Sequence, residues 1–382
     1  LCFSVVFEIT PKAEIKTNWI GRTVIRSNYR LDYDQAQLVI EAGQKEEPSE
    51  LEDAIFRLHC VASVFREKRF SGGAINFDRP EMKIEVDAQG RPVNVFQKYS
   101  QESNWLIEEF MLLANRTVAE FVATGGRMNG TPDRKAKAFV YRVHGEPDLE
   151  KLENLRGFAG HFGYKMGVSK TGKSASEQLR ALLNSSKGKP ENKAFENLAL
   201  RSMAKACYST ENIGHYGLAF SFYTHFTSPI RRYPDTMVHR LLSEYLAGGR
   251  SHNSEKLEKE CRYASERESV AADAERTSIK YKLVEFMQDK IGREYEGSVS
   301  GLTEWGMYVE IDPTGIEGMI PLREIRSDFF EFDESRYCLK GKRTRRRINF
   351  GDRVRIRVKN ANLEQRLLDF ELIEDNTDRA DV

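Results

Sequence analysis

Apolar and polar residues alternate through CFSVVFEI and again through RTVIRSNY, a period-two pattern that predicts two strands joined across TPKAEI. The period lengthens at DQAQLVIEAG, where a helix is expected, and again at PSELEDAIFRLHCVASVFREK. There Ser49 and Glu52 form a capping box ahead of the apolar stripe, and Gly72 and Gly73 close it. AINFD reads as a return to strand, and MKIEVDAQGRPVNVF as a hairpin turning near Gln89 and Gly90. NWLIEEFMLLANRTVAEFV is apolar almost all round and stops at Gly125 and Gly126, the pattern of a buried, central helix. The tracts SKTGKSAS and NSSKGKPENK are small and polar, so surface loops flanking a short helix are expected. Pro234 opens a helix over TMVHRLLSEYLA that Gly248 and Gly249 end, and a long charged helix follows from about Ser254 to Ile291.

Past Gly292 the period returns to two in REYEGSVSGL, GMYVEID, GMIPL, DRVRIRVKNANL and RLLDFEL. Five short strands with turns between them predict a small barrel of the OB type. The expected class is α+β, a mixed sheet with helices followed by that barrel. The expected division is 1–291, 292–374 and an acidic tail over 375–382.

Length agrees with two domains, since 382 residues exceed what one core usually organises. A composition of 40% hydrophobic and 31% charged residues is that of an ordinary globular protein. The formal charge of +1 means that any nucleic-acid surface must come from local clustering. Five cysteines without a CxxC spacing suggest neither a zinc ribbon nor a disulfide framework, and fit a reducing, cytoplasmic setting. No run approaches the roughly 18 apolar residues of a membrane span. The opening LCFSVVFEITPK has no initiator Met and no basic leader, so the chain is expected to be cut from a longer one.

Several stretches offer chemistry. GVSKTGKS, Gly167 to Ser174, matches the Walker A pattern, but GHFGYKM before it makes a poor buried strand, which favours a loop over a nucleotide site. HFTSPIRRYPD places Arg231 and Arg232 just before a helix start, where free N–H groups and arginine forks together would hold a phosphate. The competing reading pairs one arginine with Asp235, and spacing alone leaves the two balanced. His215, His225 and His239 are too widely spaced for a zinc set and read as core or hydrogen-bonding residues. Glu108 and Glu109 point about 100° apart on an apolar helix, so one faces inward and needs a donor, from an arginine or a substrate hydroxyl. Asp32 and Asp34 form the closest aspartate cluster, and helix capping explains it. KGKRTRRR, with Arg345 and Arg346, lies beside Trp305, Tyr308, Phe329 and Phe330, a mixture of cations and aromatics that favours single-stranded RNA over a merely solvated charge run.

Taken together, GHYGLAFSFYTHFTSPIRRYPDTMVHRLL resembles the signature of the ribonuclease II/R superfamily, the RNB domain. GGAINFDRPEMKI, NWLIEEFMLLAN and FVYRVHGEPD support it in the order expected of the bacterial ribonuclease R branch, and the last domain resembles a ribosomal S1-type RNA-binding barrel. The resemblance implies processive 3′-to-5′ hydrolysis of RNA to nucleoside 5′-monophosphates with magnesium, by a cytoplasmic monomer acting on a single-stranded 3′ end. It implies that Arg231 contacts the scissile phosphate, with Arg232 beside it. Phe77 then clamps terminal bases, Glu109 and Tyr33 bond ribose hydroxyls, and Glu275 lies near the active site. The family's metal-binding aspartates fall before LCFSVVFEI, so the resemblance also implies that this fragment binds RNA weakly and hydrolyses nothing. A noncatalytic RNA-binding module and a P-loop nucleotidase using Lys173 are the rival readings.

Overall fold

The structure is a computed structural model that describes residues 1–77, 80–126, 136–167, 172–189, 191–333 and 336–374. The chain opens with a hairpin of β1 (Cys2–Ile9) and β2 (Ile15–Thr23), followed by α1 (Tyr33–Ala42) and α2 (Glu50–Ser71). A second hairpin, β3 (Glu81–Val86) and β4 (Pro92–Lys98), precedes α3 (Glu102–Ala123). Next come β5 (Tyr141–Val143), α4 (Leu149–His161), α5 (Gly172–Ser186), α6 (Asn192–Ser202) and β6 (Cys207–Ser209). α7 (Tyr233–Leu246) and α8 (Ser254–Gln288) lead to β7 (Glu294–Leu302), β8 (Gly306–Ile311) and β9 (Ile316–Pro321). The chain then forms β10 (Phe330–Asp333), β11 (Cys338–Gly341), β12 (Arg347–Asn349), β13 (Arg353–Asn362) and β14 (Leu367–Ile373).

Helix starts follow the expected caps. Asp32 and Ser49 each accept from the third backbone N–H of their helix while Gln35 and Glu52 reach back, so both form reciprocal capping boxes. The β3–β4 turn is held by the Asp87 carboxylate, which accepts from the Gln89 and Arg91 amides, with Gly90 at φ 77°. Three expected elements differ. β2 begins at Ile15, because a tight turn over Thr10–Glu14 with Ala13 at φ 55° returns the chain at once. Its register ends with Cys2 opposite Thr23, so Val24 and Ile25 of RTVIRSNY have no partner strand among the described residues and lie exposed. The described part of AINFD forms no strand, since the Ala74 amide turns back to the Arg69 carbonyl and Ile75 donates singly to Gly217. Part of the expected loop tracts is helical, α5 starting at Gly172 and reaching Ser186.

The chain forms two compact units that interleave along it: 1–76, 100–146 and 204–270 in one, 77–99, 147–203 and 271–382 in the other. In the first, α3 is the hub. Its Val118, Ala119 and Val122 pack with Phe139, Val140 and α7 residues Val238, Leu241 and Leu242, while its Leu106 joins Ile40, Ile55 and Ala62 of α1 and α2. The strands here pair as the antiparallel β1–β2 hairpin and the short β5–β6 ladder.

In the second unit, β13-β14-β9-β8-β7 close into a barrel, as the five expected strands require. Phe370 fills it, and Gly318 lets it in, since a Cβ there would fall 2.5 Å from the ring. The basic segment between β9 and β13, expected as a loop, holds a three-stranded sheet, β10-β11-β12. Its alternation explains its place: Phe330, Leu339 and Ile348 join the barrel's buried cluster, while Glu331, Lys340 and Arg347 lie in register on the other side and are exposed.

Candidate functional site

The segment from Gly214 to Asp235 is braced from several directions. His144 accepts from the Gly217 amide through Nδ1 at 2.9 Å and bonds the Ala204 carbonyl through Nε2 at 2.7 Å. A Cβ on Gly217 would come within 3.2 Å of that ring, so the approach is tight for any larger residue. Further on, the buried Asn115 of α3 accepts from the amides of Phe226 and Thr227 at 2.9 and 3.2 Å and donates to the Tyr223 hydroxyl. From α7, the Asp235 Oδ1 accepts from the Ser228 amide at 2.7 Å, the Thr236 hydroxyl donates to the Pro229 carbonyl, and the His239 Nε2 bonds the Phe226 carbonyl.

This bracing separates the two arginines. Arg232 donates to Asp235 Oδ1 at 2.8 Å, and Asp235 is fully buried. Arg231 is exposed, and among the described residues its guanidinium makes no hydrogen bond or ion pair. The structure therefore shows the ion-pair reading of HFTSPIRRYPD for Arg232 and leaves the Arg231 guanidinium available. Three buried polar atoms on this segment have no hydrogen-bond partner among the described residues: Thr227 Oγ1, Arg232 Nε and Asp235 Oδ2. Such atoms are rare in a folded chain and collect where a water or ligand belongs.

The histidines are structural neighbours of this loop. His225 bonds the Tyr208 hydroxyl through Nδ1 at 2.8 Å. Burial, then Arg232 and Arg142, push its pKa down to about 2, while burial and His144 push His215 to about 3. Both rings are neutral at pH 7. Among the described residues no three His, Cys, Asp or Glu side chains gather as a metal would require. Nothing here fits a magnesium ion, and Asp32 is spent on its cap.

Glu109 is the inward carboxylate of its pair. It is buried against Arg69, whose Nε lies 3.0 and 3.3 Å from its two oxygens. Glu108 is half-exposed, reaches the same guanidinium at 3.3 Å, and has its pKa raised by burial. Glu109 and Arg69 line a cavity of 320 Å³ together with Lys68, Arg116, Phe65 and Phe220. Tyr33 is exposed on the first turn of α1 in the same unit. Phe77, half-buried, and Glu275, exposed on α8, belong to the other unit. The centre of the Walker-like stretch, residues 168–171, and the side chains of Lys173 and Ser174 lie outside the described residues, as does the acidic tail.

On the barrel, Trp305 is 74% exposed in the β7–β8 turn and Tyr308 of β8 is half-buried against Gly301. Phe329 is 70% exposed, whereas its neighbour Phe330 faces the core. Arg343 lies over the Phe329 ring at 5.4 Å, and Arg345 and Arg346 are exposed beside it. Sequence reasoning passed over Asn115, Arg69 and Asp328. Asn115 carried a usable signal, an amide inside an apolar helix that must find partners when buried; the other two carried none.

The RNB domain model matches residues 1–248, and the S1 RNA binding domain model matches residues 288–372. The chain belongs to the RNB family. It is 34% identical over 388 residues to ribonuclease R 1 of Lactococcus lactis, covering 99% of this chain and 46% of that protein. It is 34% identical to ribonuclease R of Aquifex aeolicus, covering 98% of this chain and 52% of the relative. The solved Mycoplasma genitalium RNase R in complex with ribose methylated single-stranded RNA superposes with a TM-score of 0.83 at 26% identity, covering 96% of this chain and 57% of that one. This RNB chain thus spans about half the length of the relatives it matches. No helix among its described residues is long and apolar enough to cross a membrane.

Proposed function

We propose that this chain is part of a processive 3′-to-5′ exoribonuclease that hydrolyses single-stranded RNA to nucleoside 5′-monophosphates. The observation that carries the reading is the division of labour at α7: Arg232 is held by Asp235, and Arg231 is left exposed, unpaired and fixed in a braced loop. A planar fork so placed can take two oxygens of one phosphate and stabilise charge that builds on them. Glu109, with Arg69 orienting its carboxylate, supplies an acceptor on the cavity wall for a ribose hydroxyl, a group that DNA lacks. Tyr33, Phe77 and Glu275 are assigned to the substrate, Phe77 through base stacking, and the exposed aromatics and arginines of the barrel to the strand. The domain boundary is placed at 291, between α8 and β7.

The reading includes magnesium chemistry. The described residues do not fit the ion, so its ligands are assigned to sequence preceding Leu1, and this fragment is expected to be inactive alone. The five free cysteines support a reducing, cytoplasmic setting, and a monomer acting on RNA 3′ ends completes the reading. To test it, Arg231→Ala in the intact protein is compared with wild type on labelled single-stranded RNA. Mononucleotide release should fall at least a hundredfold with RNA affinity within threefold. Unchanged turnover with weaker binding would reduce Arg231 to a binding residue. It would also favour the second reading, a noncatalytic RNA-binding module, which the basic and aromatic barrel surface supports.

A further inference from the structure

The sheet inserted in the barrel raises a question of its own: its basic edge is built, not merely solvated. From Arg336 to Arg347 the sequence carries seven cations and no acid. Such a run repels itself and is ordinarily a loose loop. Here it is folded around one buried carboxylate. Asp328 is 5% exposed and accepts from the amides of Phe329, Arg343 and Thr344 at 2.7, 3.0 and 2.7 Å, and from the Thr344 hydroxyl at 2.6 Å. Gly341 passes so close that a Cβ would meet Asp328 Oδ2 at 2.4 Å, and Arg345 takes φ 59° to complete the turn. Burial would raise the carboxyl's pKa, but the hydrogen bonds from Thr344, Arg343 and Phe329 hold it well below the usual range, so it stays ionised.

The consequence is an oriented surface. The Arg343 and Thr344 amides and the Thr344 hydroxyl turn inward onto Asp328. Arg343 Nε pairs with its carboxylate at 3.6 Å, which fixes the guanidinium beside the Phe329 ring while the other cations of the run lie outward. Arg343 stacks on the exposed Phe329 ring, and Arg345 and Arg347 are exposed without an ion pair among the described residues. Lys340 and Arg347 face each other across β11 and β12 on the exposed side of the sheet, with Glu331, the ion-pair partner of Lys342, in the same register, and the other side of the sheet is anchored in the barrel's buried cluster. A row of fixed cations beside one exposed aromatic face matches a single strand, whose phosphates run along the row while a base stacks on the ring. We infer that the β10–β12 sheet is an RNA-contact surface in its own right, and that Asp328 is the positioning residue that organises it. This rests on the reading of the barrel as RNA-binding.

The test is binding of a fluorescein-labelled 12-nucleotide oligouridylate to the full chain across a salt series. Arg343→Ala, Arg345→Ala and Arg347→Ala combined should weaken binding at least tenfold at 0.1 M salt. They should also flatten the slope of log K against log salt by about 2, three phosphate contacts at roughly 0.7 each. Asp328→Asn removes a negative charge, so bulk electrostatics would tighten binding; the positioning role requires it to weaken, by at least threefold, with the far-ultraviolet circular dichroism retained. A triple variant that binds with wild-type affinity and slope, while Trp305→Ala with Tyr308→Ala abolishes binding, would overturn the inference and leave the barrel reading intact. If the wild-type chain fails to bind the oligonucleotide at all, both readings fall together.

Discussion

Arg232 and Asp235, three residues apart at the start of α7, form an ion pair of 2.8 Å in which the carboxylate is fully buried and also accepts the Ser228 amide. One aspartate therefore ties the loop carrying Arg231 to the helix behind it, and it chooses which of two adjacent arginines is available. Asp235→Ala strands both the Arg232 charge and a backbone donor, and should cost on the order of 3 kcal/mol in urea unfolding. Arg231→Ala, at an exposed and unpaired position, should change stability by no more than about 0.5 kcal/mol. Equal losses for the two variants would refute the division of roles.

Asn115 is the matching brace on the α3 side. Its carbonyl satisfies the buried Phe226 amide and the half-buried Thr227 amide, so Asn115→Ala leaves the first unpaired at about 1 to 3 kcal/mol and the second at roughly 1 kcal/mol. Denaturant titration should show a loss of about 2 to 4 kcal/mol, with Asn115→Asp less damaging because it keeps the acceptor. A loss below about 1 kcal/mol would mean that the loop finds other partners.

Glu109 and Arg69 are buried together, so removing Arg69 leaves the buried Glu109 charge without that counterion, and removing Glu109 leaves the buried guanidinium only the half-exposed Glu108. Glu109→Ala should destabilise by about 3 to 5 kcal/mol, and Glu109→Leu combined with Arg69→Met should recover much of it. The same Glu109→Ala change in the intact protein should blunt discrimination between ribose and deoxyribose 3′ ends. Unchanged discrimination would confine the carboxylate to its ion pair.

Stability should fall with acid in a window set by histidines. His225 and His215 stay neutral in the folded chain down to about pH 2 and 3, while an unfolded chain protonates them near 6.5. As pH drops through 6.5 the unfolded state binds protons that the folded state refuses, so stability present above that pH is lost progressively below it. Melting temperature should decline between pH 7 and pH 4, and His225→Asn should reduce the slope. A flat profile over that range would show that both rings are accessible to protons in the folded chain.

Much of the architecture was legible in the sequence. Capping boxes at Asp32 and Ser49, the nearly all-round apolar α3, Pro234 opening α7 and the five barrel strands are local signals, each written within a few residues. The misreadings have tertiary causes. RTVIRSNY alternates like a strand, but the tight turn at Ala13 sets a register in which β1 gives it no partner. The basic run around Arg345 reads as a loop because the carboxylate that folds it, Asp328, lies fifteen residues before Arg343 and carries no periodic signature.

By itself the sequence determined the order of elements, the family signature and the residue types able to hold a phosphate, because backbone propensity and hydrophobic period act over one or two turns of chain. Which arginine is free, which glutamate faces inward and what organises the basic sheet were decided only in the tertiary structure. Each depends on a hydrogen-bonding partner brought in from another element, such as Asn115 for the Phe226 amide or Arg69 for Glu109. Spacing along a chain cannot specify such partners, since the energy that selects them is that of burying a polar group with its complement already in place.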